Sequence, residues 1–118
     1  MRYLCLIYEN HKDWEALSRT EQEAGIAEYA AYTESIKKGG HYLGGEALQP
    51  PETATTVRVR NGKLSTTDGP FMESKEQLGG FYLIHARDLN EAIQVASRIP
   101  SARWGAVEVR PIWELDQQ

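Results

Sequence analysis

The chain has 118 residues, 41% of them hydrophobic and 25% charged, which is enough to bury one core and too apolar for an intrinsically disordered protein. A net charge of −4 at pH 7 argues against a nucleic-acid-binding protein, because such proteins neutralise phosphates with clustered lysine and arginine. The single cysteine, Cys5, excludes an intramolecular disulfide, and no apolar run is long enough to span a membrane. We therefore expect one domain over residues 1–118, located in a reducing cytoplasm.

The first part of the chain predicts a strand followed by a helix. Tyr3 to Tyr8 is a continuous apolar run, typical of a central strand covered on both faces. The polar stretch from His11 to Leu17 is interpreted as a connecting loop. Thr20 and Glu23 have capping-box spacing, so we expect a helix from Thr20 to Lys38, before a glycine pair. One face of this helix carries Ile26, Tyr29, Thr33 and Ile36.

A second strand and a hairpin follow. His41 to Leu48 is expected to form a strand that is interrupted by a glycine pair and ended by a proline pair. Asn61-Gly62 separates Thr55–Arg60 from Lys63–Thr67, and both central residues of a type I′ turn need positive φ. This sequence predicts a β-hairpin.

The last part repeats the strand, helix, strand order. Gly80 to Ala86 is expected to form a strand, and Asp88 with Glu91 forms a second capping box. The helix that follows has an apolar stripe ended by Pro100, made of Leu89, Ala92, Ile93, Ala96 and Ile99. Gly105 to Trp113 alternates in polarity and is expected to be the final strand.

Together these elements predict a ferredoxin-like α+β fold: β-α-β, a β-hairpin, then β-α-β, in an antiparallel sheet. Each of the two helices has one apolar stripe, so both are expected on the same face of the sheet. The other face, which includes Glu108 and Arg110, would then be free to pack against a second subunit.

A stiff turn at Asp68-Gly69-Pro70 stands out from this pattern. Proline fixes its own φ, and glycine admits positive φ, so the turn aims side chains as well as joining strands. The charged residues Glu73, Lys75 and Glu76 follow it, and then a glycine pair and an apolar strand. This succession is interpreted as the wall of a binding site.

Four motifs connect the chain to a known family: Asp68-Gly69-Pro70-Phe71, Lys75-Glu76, Leu78-Gly79-Gly80-Phe81-Tyr82, and Val107-Glu108-Val109-Arg110-Pro111. On these motifs the chain resembles the YCII-related family, and specifically its DGPF-motif subgroup. The resemblance covers nearly the whole chain. It implies a ferredoxin-like subunit that pairs sheet to sheet as a homodimer, forming a dimeric α/β barrel.

The resemblance also implies two functional hypotheses. One is a cofactor-free acid-base enzyme acting on a small molecule, since the wider family is associated with a His-Asp pair. The other is a non-catalytic ligand-binding or regulatory module associated with a sigma factor of the extracytoplasmic-function type. Many family members carry a histidine in the first helix, where this chain has Tyr29 and Tyr32, so the His-Asp pair is not carried over.

Asp68 and His41 are the candidate catalytic residues. Burial in a dimer pocket would raise the pKa of Asp68 toward neutrality and suit it to proton transfer. The alternative is that its carboxylate accepts hydrogen bonds from the backbone of its own turn. His41 is the candidate to replace the missing helix histidine, and a core or surface histidine is the alternative.

Arg110 and Lys75 are candidates for holding an anionic or carbonyl-bearing substrate. The predicted substrate-binding set also includes the carboxylates Glu73, Glu76 and Glu108. The alternative for Arg110 is an ion pair with one of these carboxylates, and the alternative for Lys75 is a solvated surface charge.

No metal or cofactor is predicted. The three histidines lack metal-ligand spacing, and the glycine pairs match no nucleotide-binding motif. The aromatic residues Tyr8, Phe81, Tyr82, Trp104 and Trp113 are interpreted as core and dimer contacts.

Overall fold

The computed structural model describes residues 1–115. The strands are β1 (Arg2–Glu9), β2 (Tyr42–Ala47), β3 (Thr55–Arg60), β4 (Lys63–Asp68), β5 (Gln77–His85) and β6 (Ala106–Pro111). The α-helices are α1 (His11–Glu15), α2 (Arg19–Lys38) and α3 (Leu89–Ser97), and 3₁₀ turns cover Pro51–Thr53 and Pro100–Arg103. Within residues 1–115, no helix has both the length and the apolar composition needed to cross a lipid bilayer.

The main sheet has the strand order β2-β5-β1-β6, and all neighbouring strands are antiparallel. The connection from β1 to β2 passes over β5, and the connection from β5 to β6 passes over β1. This topology agrees with the predicted ferredoxin-like α+β fold. In register, Cys5 lies opposite Tyr82 on one side and Val109 on the other.

One face of the sheet packs against the helices and forms the core. Alternate side chains of β1 and β5 point to this face because successive residues of a strand face opposite ways. The buried core consists of Tyr3, Cys5, Ile7, Tyr32, Ile36, Tyr82, Ile84, Ala86, Ala92, Val95, Ala96 and Ile99. It joins α2 and α3 to the same side of the sheet.

The opposite face of the sheet, which we call the open face, is only partly covered. Its cross-strand neighbours include Leu4, Leu6, Phe81, Leu83, Glu108 and Arg110. Leu4 and Leu6 stay half-buried, whereas Cys5 and Ile7 beside them are buried under the helices. The prediction that the first strand is covered on both faces is therefore wrong for a single subunit.

The long helix starts at Arg19, next to the predicted Thr20, but the predicted cap is wrong. Ser18 is the N-cap: its Oγ accepts a hydrogen bond of 3.1 Å from Glu21 N, and Glu21 Oε1 accepts one of 2.9 Å from Ser18 N. Two overlapping capping-box sequences are present, and the earlier one leaves Glu23 free to pair with Arg19 at 3.2 Å.

The stretch from His11 to Leu17 was expected to be a loop but contains helix α1. Asn10 caps this helix, its Oδ1 accepting a hydrogen bond of 3.1 Å from Lys12 N. The helix brings Trp14 back toward α2, where Gln22 Nε2 donates to Trp14 O at 2.9 Å. A third helix is therefore present where the sequence predicted two.

The predicted helix and strand near the C-terminus are both shorter in the structure. Helix α3 ends at Ser97, and Pro100 opens a 3₁₀ turn because it has no N–H to continue the ladder. Leu89 and Ile93 are exposed, while Val95 takes a core position. Strand β6 ends at Pro111 rather than Trp113.

The predicted hairpin at Asn61-Gly62 is confirmed, with φ of 53° and 73° at these two residues. Strands β3 and β4 form a separate two-stranded sheet, and every residue of β4 is exposed. Gly69, at the base of this hairpin, has a φ of 101°, as expected for the Asp-Gly-Pro turn.

Candidate functional site

A cavity of about 750 Å³ lies between α2 and the end of the sheet where β1 finishes. We call it the helix-sheet cavity. Its volume is within the range of small-molecule sites in proteins. Five aromatic residues contribute to its walls: Trp14, Tyr29, Tyr42, Tyr82 and Trp104. A mainly apolar cavity with a few polar groups is the usual form of a ligand site.

A polar cluster lies in this cavity around the carboxylate of Glu9, at the end of β1. Glu9 Oε2 accepts hydrogen bonds from Ser101 Oγ at 2.9 Å and from Trp104 Nε1 at 3.1 Å. The hydroxyl of Tyr29 bonds in turn to Ser101 Oγ. Ser101 is completely buried and comes from the 3₁₀ turn after α3, so the cluster joins β1, α2 and that turn.

The direction of these hydrogen bonds follows from the donors available. Ser101 has one hydroxyl hydrogen and donates it to Glu9, so Tyr29 must donate to Ser101. Burial raises the pKa of Tyr29 to about 12; the hydrogen bond with Ser101 lowers this pKa by less than burial raises it, and the nearby charge of Glu9 adds a smaller increase. The phenol therefore stays protonated at neutral pH, and the chain runs from Tyr29 through Ser101 to Glu9.

A second hydroxyl pair lies further along α2. Thr33 Oγ1 donates to Tyr29 O at 2.9 Å and accepts a hydrogen bond of 2.7 Å from Tyr82 OH. Burial raises the pKa of Tyr82, so this phenol also stays protonated. Tyr32, the other tyrosine of the first long helix, points into the core and donates to Val95 O at 2.8 Å.

Helix α1 forms the outer wall of the cavity with His11 and Trp14. His11 Nε2 lies 3.1 Å from Glu15 Oε1, one helical turn away, which holds the imidazole at the rim. Among residues 1–115, no three histidine, cysteine, aspartate or glutamate side chains converge as a metal site would require.

The candidate residues from the Asp-Gly-Pro region lie outside this cavity. Asp68 is exposed at the end of β4, opposite Thr55. Lys75 and Glu76 line a second, wider cavity of about 1230 Å³ beneath the hairpin, together with Phe71. Glu73 is exposed in the same loop.

His41 and Arg110 are placed elsewhere again. His41 precedes β2, and its Nδ1 donates to His85 O at 2.9 Å at the far end of β5. Arg110 Nη2 pairs with Glu108 Oε2 at 2.5 Å on the open face, which is the alternative expected for Arg110. Within one subunit, Asp68, His41 and Arg110 line neither of the two cavities, and their functional roles stay predictions.

Sequence reasoning overlooked Glu9 and Ser101 as site residues, and it placed Tyr29 on a helix face, where many family members carry a histidine, without giving it a role. The available signal was a carboxylate directly after a buried strand, where strand ends commonly supply site residues. Ser101 gave no local signal, because its role depends on a contact 92 residues away in sequence.

Comparisons with known proteins identify the family. The pattern of the YCII-related domain matches residues 1–116. An uncharacterised protein of Rhizobium meliloti (strain 1021) is 35% identical over 114 residues, which cover 95% of this chain and 92% of that protein. The match extends over both β-α-β units and the hairpin between them. The chain therefore belongs to the YCII-related domain family.

Proposed function

We propose that the protein binds a small, largely apolar molecule in the helix-sheet cavity and moves a proton at Glu9. The observation that carries this proposal is the chain of hydrogen bonds from Tyr29 through buried Ser101 to Glu9, on the wall of a mainly apolar cavity. Buried polar groups are costly unless they are satisfied, and these are satisfied by one another around a carboxylate.

Glu9 is suited to accept a proton from a bound molecule. Its Oε2 is held by Ser101 and Trp104, which fixes the orientation of the carboxylate. Its Oε1 lies beside Gly79, where a Cβ atom would come within 3.1 Å of that oxygen. The glycine thus leaves room next to Oε1, which is the oxygen free to face a ligand. No cofactor is part of this proposal.

A homodimer formed through the open face is part of the proposal. Leu6 lies between Phe81 on β5 and Glu108 on β6, so apolar and charged groups alternate across this surface. Pairing two such faces would bury the apolar residues and complete the dimeric barrel that the family resemblance implies.

The Asp68 site and the sigma-factor association are retained as predictions. Asp68→Asn tests the first: loss of turnover in that variant, with Glu9→Gln still active, would move the chemistry to the Asp-Gly-Pro turn. Recovery of a sigma factor with the protein from cells would support the regulatory alternative.

The binding proposal is tested by blocking the cavity from α2. Ala24 lines the cavity, whereas Ala30 is exposed on the same helix outside it. In a ligand-observed NMR screen with a fragment library of mixed charge, fragments that bind the wild type should bind Ala30→Trp and fail to bind Ala24→Trp. Fragments that bind both variants equally would place the site elsewhere.

The chemical part of the proposal needs a separate readout. For a substrate found by such a screen, Glu9→Gln should lower kcat by about a hundredfold or more, the usual effect of losing a general base. Unchanged kcat in Glu9→Gln would remove Glu9 from the reaction and leave the binding function standing.

A further inference from the structure

The helix-sheet cavity has an unusual charge balance. Its charged lining residues are Glu9, Glu21, Glu28 and Glu46, with His11 at the rim. Glu46 lies opposite Phe81 in the sheet, so its side chain belongs to the open face. Among the described residues that line it, there is neither lysine nor arginine. The sequence had predicted an anionic or carbonyl-bearing substrate held by Arg110 and Lys75, and neither residue lines this cavity.

Two of these carboxylates already have partners. Glu28 Oε1 pairs with Arg103 Nη1 at 2.6 Å, and this hydrogen bond lowers the pKa of Glu28. Glu21 is held in the N-terminal cap of α2. The charge of Glu28 is therefore balanced by Arg103, and the carboxylate of Glu21 is occupied by its hydrogen bond at the helix cap.

Glu9 is different, because its partners Ser101 and Trp104 are neutral donors. Within residues 1–115, neither lysine nor arginine forms an ion pair with it. The carboxylate therefore presents an uncompensated negative charge to a mainly apolar space, where Coulombic interactions are stronger than in water.

The aromatic walls also favour a positively charged ligand. The face of an aromatic ring attracts cations, and tryptophan does so most strongly. Two of the lining rings already attract cations from outside the lining: Arg103 stacks over Trp104 at 5.2 Å, and Lys37 over Tyr42 at 5.1 Å. Both cations also have carboxylate partners, Glu28 and Glu34.

We infer that the ligand of the helix-sheet cavity is a hydrophobic amine, whose ammonium group pairs with Glu9 while its apolar body contacts the aromatic walls. This inference rests on the proposed binding function and names its ligand class. An anionic ligand would bring two negative charges together beside mainly apolar walls, which is unfavourable.

The test compares three probes that share one two-ring skeleton: naphthylmethylamine, naphthylmethanol and naphthoate. Isothermal titration with the full-length protein should show the amine binding about tenfold or more tightly than the alcohol, and naphthoate binding weakest. Glu9→Gln should remove the preference for the amine and keep binding of the alcohol. Glu34→Gln is the control, since it also removes one carboxylate charge but at a position on α2 outside the cavity. This variant should keep the preference for the amine.

Different results of this titration would reject the ligand class alone or the binding function as well. Equal binding of amine and alcohol to the wild type, or tighter binding of naphthoate, would overturn the ligand class and leave a binding cavity. Failure of all three probes to bind would overturn both the ligand class and the proposed function.

Discussion

Ser101 Oγ donates a hydrogen bond of 2.9 Å to Glu9 Oε2, across 92 residues of sequence. This contact joins the end of β1 to the turn that follows α3. Tyr29 completes the link from α2, so the polar cluster in the cavity also connects three elements of the fold. Its residues can therefore be tested through stability as well as through binding.

Ser101→Ala should lower the free energy of unfolding by about 1–3 kcal/mol, because it leaves the Tyr29 hydroxyl without its acceptor and removes one of the two donors to Glu9 Oε2. Urea denaturation of the two proteins measures this difference. Ser97→Ala is the matched control: Ser97 is exposed and donates only to Gln94 O, so its effect should stay within about 0.5 kcal/mol. Equal effects of the two substitutions would contradict the role given to Ser101.

Gly105→Ala should destabilise the fold where β6 approaches β1. A Cβ atom at Gly105 would clash with Tyr8 O, so the backbone would have to shift, at a cost of about 1–3 kcal/mol. Gly44→Ala is the control, since a Cβ there meets no atom within 4 Å. Thermal unfolding should show a clearly lower Tm for Gly105→Ala than for Gly44→Ala, and similar Tm values would refute the close approach.

Cys5 should be unreactive in the native protein. It is fully buried, and this burial raises the pKa of its thiol to about 11, so little thiolate forms at neutral pH. Because it is the chain's only cysteine, labelling with a thiol-specific disulfide reagent at pH 8 reports on this residue alone. We expect slow labelling that accelerates in denaturant, and rapid labelling of the folded protein would show that the core at β1 is open.

Leu6→Glu should convert a dimer into monomers, because it places a second carboxylate next to Glu108 on the open face. Leu89→Glu is the control, since Leu89 is exposed on α3, away from that face. Analytical ultracentrifugation should give twice the subunit mass of 13.3 kDa for the wild type and Leu89→Glu, and 13.3 kDa for Leu6→Glu. A wild-type mass of 13.3 kDa would rule out the dimer.

The features predictable from the sequence were local ones. The Asn61-Gly62 turn needs positive φ at adjacent residues, and that requirement is visible without any tertiary contact. The patterns of the strands and of the two striped helices predicted the order of those elements in the same way, whereas the short helix α1 was not predicted. The start of α2 was predicted from the capping-box sequence at Thr20, whereas Ser18 begins an overlapping one and is the N-cap in the structure.

The candidate site was much less predictable because it depends on contacts between distant segments. Glu9, Tyr29 and Ser101 belong to three elements, and no short motif contains any two of them. The Asp68 turn, in contrast, has an obvious local signature and therefore drew attention. Local stiffness identifies a turn, whereas the cavity is created by the way α2 lies over the sheet.

We expect a ligand to occupy the helix-sheet cavity with a polar group at Glu9. A crystal structure of the protein with naphthylmethylamine tests this binding mode most directly. We predict electron density for the probe between α2 and the sheet, with its nitrogen within hydrogen-bond distance of Glu9 Oε1. Density for the probe only in the cavity beneath the hairpin or on the open face, with the space around Glu9 empty, would contradict the account.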